Sequence, residues 1–214
     1  MPCALGACLL ALVSTFAVCW CTVPSIYEKW KTTPEEISAI IKERPSVRGM
    51  LFGYLTEYKV QKLLASDPRV TDMMRPDDHD RTQKADLIFG YKGHKVKVEV
   101  KSLQTNTVTH KGGIWRGKVQ CDASDKRPIP LPDGSTVETT LLAVGEFDML
   151  AAGLFHFGNE WRFSFARNGD LPRTSSGKYS AQQCQFLIKS MVAVSWPPVP
   201  PLYEDPFAIL DSIV

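Results

Sequence analysis

Two short apolar segments joined by a glycine turn constrain the fold of this chain more than any other feature. Residues 85–91 are mostly apolar, which is typical of a buried strand. Residues 95–103 alternate between valine and polar side chains, the period of two expected of a strand with one buried face. Residues 92–94 between them (Lys-Gly-His) have the composition of a tight turn, so the pattern predicts a β-hairpin.

The remaining periodicities favour one substantial α/β domain. A threonine cap, a proline in the first turn and two acids predict a helix over residues 33–43. Helical spacing of apolar residues predicts a second helix over residues 46–65. Residues 141–157 predict one or two buried strands, and residues 161–166 alternate again. Residues 104–136 are rich in Gly, Pro and Lys and are predicted to be mostly loop. The predicted fold class is α/β, with a mixed central β-sheet flanked by helices.

Two more helices are predicted near the C-terminus. A capping-box pattern opens one over residues 181–191, and a short helix is expected over residues 207–213. Between them the prolines after Trp196 indicate a stiff, extended connection. We therefore expect a domain of residues 28–196 followed by a proline-rich tail of residues 197–214.

The N-terminal segment, residues 1–27, carries no charged side chain and contains an apolar run just long enough to span a bilayer. No positive residue precedes the run, as a secretory signal would require. Three interpretations stay open: an over-extended start, a membrane anchor that leaves the body in the cytoplasm, and a cleaved signal. Membrane association is therefore left undecided at this point.

Charge and cysteine content limit the function classes. The net charge of +2 excludes a strongly basic, coat-type nucleic-acid binder but leaves room for a local basic cleft. Outside the N-terminal segment the cysteines are Cys121 and Cys184, which form neither a zinc signature nor a disulfide framework. The body is therefore expected to be cytoplasmic.

Two acids and a lysine on the predicted hairpin carry the chemistry. Glu99 and Lys101 share a face of the second strand because residues two apart in a strand point the same way. Pairing across the turn can bring Asp86 close to them. Two carboxylates there would hold Mg²⁺ or Mn²⁺, with the Val100 carbonyl as a third ligand. Lys101 would orient or deprotonate the attacking water, or offset charge on the phosphate.

The hairpin context separates this pattern from a chance occurrence. The spacing of an acid two residues before a lysine also occurs at Glu57 and Lys59, but on a predicted helix, where such residues do not share a face. The segments Lys84-Ala85-Asp86-Leu87-Ile88-Phe89 and Val96-Lys97-Val98-Glu99-Val100-Lys101-Ser102 resemble the PD-(D/E)XK nuclease superfamily, the restriction-endonuclease-like fold. With the preceding helix, the resemblance covers roughly residues 46 to 104.

The resemblance implies a restriction-endonuclease-like core and the activity of a magnesium-dependent DNA endonuclease. Asp86, Glu99 and Lys101 would be catalytic, and Glu57 matches the helix glutamate that members of the family often supply. The first metal ligand has an alternative, because Pro76-Asp77 spells the family's proline–aspartate pair literally. Asp86 is preferred, since it enters an apolar strand whereas Asp77 lies in a polar loop.

Type II restriction is the preferred activity, on double-stranded DNA, by a homodimer and with a cognate DNA methyltransferase in the same system. The alternatives are a structure-selective or repair nuclease of the same superfamily, and a nuclease-like module that binds DNA without cutting it. DNA contacts are expected from residues after the second hairpin strand. The candidates are Gln104, Arg116, Lys118 and Arg127.

Overall fold

The computed structural model describes residues 24–76, 85–132 and 134–214. Most of the apolar N-terminal segment and the stretch that contains Asp77 lie outside the described residues. Among the residues that are described, no helix is long and apolar enough to cross a membrane.

The chain divides into two compact units, Met1–Pro45 and Ser46–Val214. The described part of the first unit contains helices α1 (Ile26–Trp30) and α2 (Pro34–Glu43), which confirms the helix predicted over residues 33–43. Both begin with a reciprocal capping box, Ser25 with Glu28 and Thr33 with Glu36, so orphan amides at each helix start are satisfied.

The second unit contains three α-helices and ten strands among its described residues. The helices are α3 (Pro45–Leu64), α4 (Ala181–Phe186) and α5 (Pro206–Ile213). The strands are β1 (Val70–Met74), β2 (Leu87–Tyr91), β3 (His94–Ser102), β4 (Thr109–Lys111), β5 (Ile114–Gln120), β6 (Asp122–Pro130), β7 (Thr136–Leu141), β8 (Met149–Gly153), β9 (Phe163–Arg167) and β10 (Met191–Trp196).

A five-stranded mixed sheet forms the centre of the described part of this unit, in the order β1-β2-β3-β8-β9. The predicted hairpin is present, with β2 antiparallel to β3 and Leu87 opposite Val98. β8 runs parallel to β3, and β9 returns antiparallel to β8. The α/β fold class, with a mixed central sheet flanked by helices, is therefore confirmed.

Both faces of the central sheet are covered. On one face, α3 and α5 bury Val60, Leu64, Ile209 and Leu210 against the side chains of β2 and β3. On the other face, a smaller sheet of the order β10-β5-β4 packs Val119, Val192 and Val194 against Leu150 and Ala152 of β8. The helix predicted over residues 207–213 is thus present as α5 and contributes to the core, while the domain boundary at residue 196 stays a prediction.

A close approach between α3 and β8 fixes the height of the helix over the sheet. Thr56 is buried, and a Cβ on Gly153 would lie 2.4 Å from its Cγ2 atom. The Thr56 hydroxyl donates to the Phe52 carbonyl and lies 3.0 Å from the Ser102 hydroxyl, which donates to it. The next residue of α3 is Glu57, so this contact also sets the position of that carboxylate.

Gly153→Ala is expected to lower the free energy of unfolding by about 1–3 kcal/mol, the usual cost of overpacking a core. Urea denaturation checks this value. The matched control is Gly177→Ala, because a Cβ at Gly177 meets no atom within 4 Å. Adding Thr56→Ser to Gly153→Ala removes the clashing methyl group and should recover most of the loss. An unchanged unfolding midpoint in Gly153→Ala would show that the helix moves away at no cost.

The prediction that residues 104–136 are mostly loop is wrong. They contain β4, β5 and β6. Gly117 marks tight packing in β5 and not a turn, since a Cβ there would lie 2.8 Å from Leu103 Cδ1. Pro128 and Pro130 are tolerated because β6 pairs on one side only, with β7, among the described residues.

The helix predicted over residues 181–191 is too long. α4 ends at Phe186, and Leu187 and Ile188 form isolated bridges to Ala143 and Arg173. From Met191 onward the chain is strand β10, which buries Val192 and Val194. Alternating β-branched residues with a partner strand outweigh the helical start that the capping box provides.

Candidate active site

The β2–β3 hairpin places Asp86 beside the end of β3. Its backbone N–H donates to the Val98 carbonyl over 3.1 Å, which extends the ladder one residue beyond β2. Its carboxylate Oδ2 then accepts from the Val100 N–H at 2.6 Å. The Asp86 side chain is therefore held by the strand that carries Glu99 and Lys101.

Glu99 and Lys101 form a tight ion pair on the same face of β3. Lys101 Nζ lies 2.7 Å from Glu99 Oε1. Glu99 is only 8% exposed, which makes it the one charged residue among the buried polar residues of the described chain. Burial of this kind is costly unless the charge is paired, so the lysine is needed to keep a carboxylate there.

A cleft of about 810 Å³ opens above this pair. Its lining includes Asp86, Glu99 and Lys101, together with Glu57 from α3. The four residues predicted to be catalytic are thus brought to one place. The β6 strand and the segment after β1 form the other walls, through residues such as Lys126 and Arg75.

Burial raises the pKa of both carboxylates. Burial, with the charge of Asp86, raises the pKa of Glu99 to about 7, against the lowering effect of Lys101. Burial also raises the pKa of Asp86 to about 6, opposed by Lys101 and by the Val100 N–H. Burial lowers the pKa of Lys101, but Glu99 and Asp86 outweigh it and the net shift is upward. The positive charge near the two acids thus does not outweigh the effect of burial on their pKa values.

The donor set fits a hard divalent cation. Across residues 24–76, 85–132 and 134–214, no three histidine, cysteine, aspartate or glutamate side chains are grouped to hold a metal ion by themselves. A site here would use Asp86 and Glu99 with backbone oxygen and water, the ligand set that Mg²⁺ accepts. The positive charge of the cation would lower the pKa of both acids. The Val100 carbonyl as third ligand stays a prediction.

The raised pKa values of Asp86 and Glu99 make the stability of the folded protein depend on pH. Between pH 4 and about pH 7 the folded, metal-free protein binds more protons at Asp86 and Glu99 than the unfolded chain does. Its free energy of unfolding should therefore fall as pH rises through that window. Asp86→Asn removes one of the charges and is expected to stabilise the protein in EDTA at pH 8 by roughly 1–3 kcal/mol, given about 1.4 kcal/mol for each pKa unit.

Thermal unfolding in EDTA at pH 5 and pH 8 measures this effect. The gain in Asp86→Asn should be larger at pH 8, and the exposed Glu138→Gln serves as the control. Mg²⁺ should stabilise the wild-type protein more than Asp86→Asn. Destabilisation of Asp86→Asn at pH 8 would mean that the Asp86 charge is favourable without a metal.

The residues predicted to contact DNA are not all in the cleft. Gln104 is half-buried and lines a second cavity of about 400 Å³, together with Lys101 and Glu57. Arg116 and Lys118 are exposed on one face of β5. Arg127 lines the main cleft, but its guanidinium donates to both carboxylate oxygens of Glu146, at 2.6 and 2.8 Å.

Two residues of the cleft wall were not singled out by sequence. Arg75 follows β1 and forms an ion pair with Glu57 over 2.6 Å. Asp122 begins β6, and its Oδ2 accepts from the Ser190 hydroxyl at 2.6 Å, while its buried Oδ1 has no hydrogen-bond partner among the described residues. Neither position has a local motif, because each reaches the cleft only through the tertiary fold.

Comparisons with known proteins add little to this geometry. No protein-family profile matches the chain, and no curated protein does. A solved structure that matches is a bacterial homing endonuclease, I-Ssp6803I, with a TM-score of 0.36 and 16% sequence identity. The match covers 64% of this chain and 87% of that chain. At this level of likeness, fold and function depend on the chain's own residues.

Proposed function

We propose that this chain is a magnesium-dependent DNA endonuclease of the PD-(D/E)XK type, with Mn²⁺ as the alternative ion. The observation that carries the proposal is the meeting of Asp86, Glu99 and Lys101 at one cleft, on adjacent strands of a mixed sheet. The sheet order, with the antiparallel β2–β3 pair followed by parallel β8, supports the resemblance found in the sequence.

Hydrolysis of a phosphodiester needs a water oxygen to attack phosphorus while the bond to the leaving oxygen breaks. A divalent cation held by Asp86 and Glu99 would act as a Lewis acid on the phosphate. Lys101 is a cation in the arrangement described, because its carboxylate neighbours raise its pKa. A protonated Lys101 can offset the negative charge on the phosphate, but it cannot accept a proton from water. Glu57, at the wall of the cleft, is placed to accept a hydrogen bond from water.

An exposed face of the small sheet offers a surface for duplex DNA. Arg116 and Lys118 project from β5 on the same side as Gln120, which lines the second cavity beside Lys101. Their cross-strand neighbours are Thr109, Ala193 and Ser195, so no acid opposes them there. This positively charged face is suited to phosphates and adjoins the second cavity, which shares Lys101 and Glu57 with the cleft.

Arg116→Ala combined with Lys118→Ala is expected to weaken DNA binding about tenfold or more at low salt. If each cation contacts one phosphate, the slope of log K against log salt should fall by about 0.9 per contact. Fluorescence anisotropy of a labelled duplex over a salt series measures it. Lys95→Ala, exposed at the turn end of β3, is the control. A slope that is unchanged in the double variant would remove this face from the DNA-binding surface.

More specifically, we propose that the chain is a type II restriction endonuclease, which acts as a homodimer in the cytoplasm and belongs to a system with a cognate DNA methyltransferase. A palindromic duplex site is cut on both strands most simply by two copies of one site related by a two-fold axis. The alternatives, a structure-selective or repair nuclease and a binding module that does not cut, differ in what they do to different DNA substrates.

The test is incubation of the full-length chain with a large linear DNA, a supercoiled plasmid and synthetic branched DNA, in Mg²⁺ and in EDTA. Discrete, reproducible fragments of the linear DNA in Mg²⁺ would support restriction. Cleavage confined to branched DNA would support the structure-selective nuclease. Binding of every substrate without cleavage, in Mg²⁺ or Mn²⁺, would overturn the proposed activity.

A further inference from the structure

Arg75 adds a positively charged group to the wall of the cleft that contains Asp86 and Lys101. The residue follows β1, and its side chain is 34% exposed, so it lies at the wall of the cleft and not in the core. Burial raises the pKa of Asp86, and the positive charge of Arg75 is one of the effects that oppose this rise, so the guanidinium lies within electrostatic range of a proposed metal ligand.

Two residues of α3 hold this guanidinium. Arg75 Nη2 donates to Glu57 Oε2 over 2.6 Å, and its guanidinium carbon lies 5.7 Å from the centre of the Tyr54 ring. Tyr54 and Glu57 are three residues apart and so share one face of the helix. The contact of Thr56 with Gly153 fixes that helix against the sheet, so the arginine has a defined place relative to β3.

Arg127, the other arginine that lines the cleft, uses its guanidinium for contacts within the protein. Arg127 donates to two oxygens of Glu146 and also to the Leu141 carbonyl. Among the described residues, Arg75 has a single hydrogen-bond partner, Glu57, which it contacts through Nη2 alone. Its Nη1 and Nε groups therefore retain donors suited to phosphate oxygens in the fork geometry of a guanidinium.

We propose that Arg75 is a further catalytic residue, which contacts the phosphate of the bond to be cut and stabilises the negative charge that develops there. The inference rests on the proposed nuclease function. Lys101 would act from β3 and Arg75 from the segment after β1, which forms another wall of the cleft. Such a pair of cations is useful where charge spreads over several phosphate oxygens in the transition state.

The simpler alternative is that Arg75 only positions Glu57. A double-mutant cycle separates the two roles, because a residue that acts through Glu57 has no further effect once Glu57 is changed. The variants of the full-length chain are Arg75→Ala, Arg75→Lys, Glu57→Gln and the pair Arg75→Ala with Glu57→Gln. Arg162→Ala is the control, since Arg162 also pairs with an acid, Glu160, and lies over a tryptophan ring, but does not line the cleft.

Single-turnover cleavage of a DNA substrate cut by the wild type, at saturating Mg²⁺ and enzyme, measures the rate of the chemical step. Arg75→Ala should lower that rate roughly 10²-fold, in line with removal of one transition-state donor. Arg75→Lys should recover part of the rate, added guanidinium ion should restore part of it in Arg75→Ala, and the loss should persist in the Glu57→Gln background.

The outcomes that overturn the inference are distinct from failure of the nuclease function. If the wild type cleaves DNA and Arg75→Ala cleaves it as fast as Arg162→Ala does, the inference is overturned. It is also overturned if Arg75→Ala lowers the cleavage rate of the wild type but not that of Glu57→Gln. A rate loss without recovery by lysine or guanidinium, accompanied by a lowered unfolding temperature, assigns Arg75 a structural role instead. No cleavage by the wild type overturns the nuclease function and this inference with it.

Discussion

Lys101→Met should lower the rate of DNA cleavage by roughly 10²–10³-fold while DNA affinity stays within about threefold of the wild type. Lys101 is the cation nearest to Glu99 in the cleft, at 2.7 Å, and it is largely buried there. Methionine keeps most of the length and the apolar stem of the side chain but carries no charge. The effect should therefore fall on the charged transition state and not on packing.

Saturating Mg²⁺ is needed in this measurement, because Glu99 loses its ion-pair partner in the variant and metal affinity will change. Single-turnover rates at several Mg²⁺ concentrations separate weaker metal binding from a slower chemical step. Lys97→Met is the matched control: Lys97 lies on the same face of the same strand but is exposed. Equal rates for the two variants would remove Lys101 from the chemistry.

Arg127→Met is expected to lower the free energy of unfolding by about 2–4 kcal/mol, slightly less than the roughly 3–5 kcal/mol for one partner of a fully buried ion pair, because both side chains are partly exposed. The guanidinium of Arg127 joins β6 to Glu146 and to the Leu141 carbonyl. Glu146 in turn accepts from the Ala143 N–H at 2.7 Å. The pair thus ties the β6–β7 hairpin to the segment that leads into β8.

Urea denaturation of Arg127→Met beside its exposed neighbour Lys126→Met tests this structural role. The sequence alone suggested a DNA contact for Arg127, and the two roles predict different results. A structural arginine gives a large loss of stability and an unchanged salt dependence of DNA binding in the folded protein. The reverse, normal stability with a reduced salt slope, would return Arg127 to the DNA-binding surface.

The parts of the fold that follow from local sequence are those with a short period and a clear boundary. The hairpin of β2 and β3 was predictable because alternating valines and a Lys-Gly turn specify both the strands and their partner. The same alternation placed Glu99 and Lys101 on one face. Helix α3 was predictable because its apolar residues recur at helical spacing and Asp67-Pro68 follows it.

Strands β5 and β6, and the positions of Arg75 and Asp122 at the cleft, were not predictable in this way. Gly117 and the prolines of β6 are signals of loops in isolation, and they are compatible with strands only because of particular neighbours. Arg75 and Asp122 reach the cleft through contacts with residues distant in sequence, Glu57 and Ser190. Contacts of this kind depend on the packed fold, and no local sequence pattern predicts them.

We propose that Asp86 holds a metal ion that is needed to cut DNA. The most direct test of this proposal is single-turnover cleavage by the full-length wild type and by Asp86→Asn, side by side, in Mg²⁺ and in EDTA. DNA binding and unfolding temperature are measured on the same samples. We expect cleavage by the wild type in Mg²⁺ alone, and no cleavage by a folded Asp86→Asn that still binds DNA. Cleavage by Asp86→Asn at the wild-type rate, or cleavage by the wild type in EDTA, would contradict the proposal.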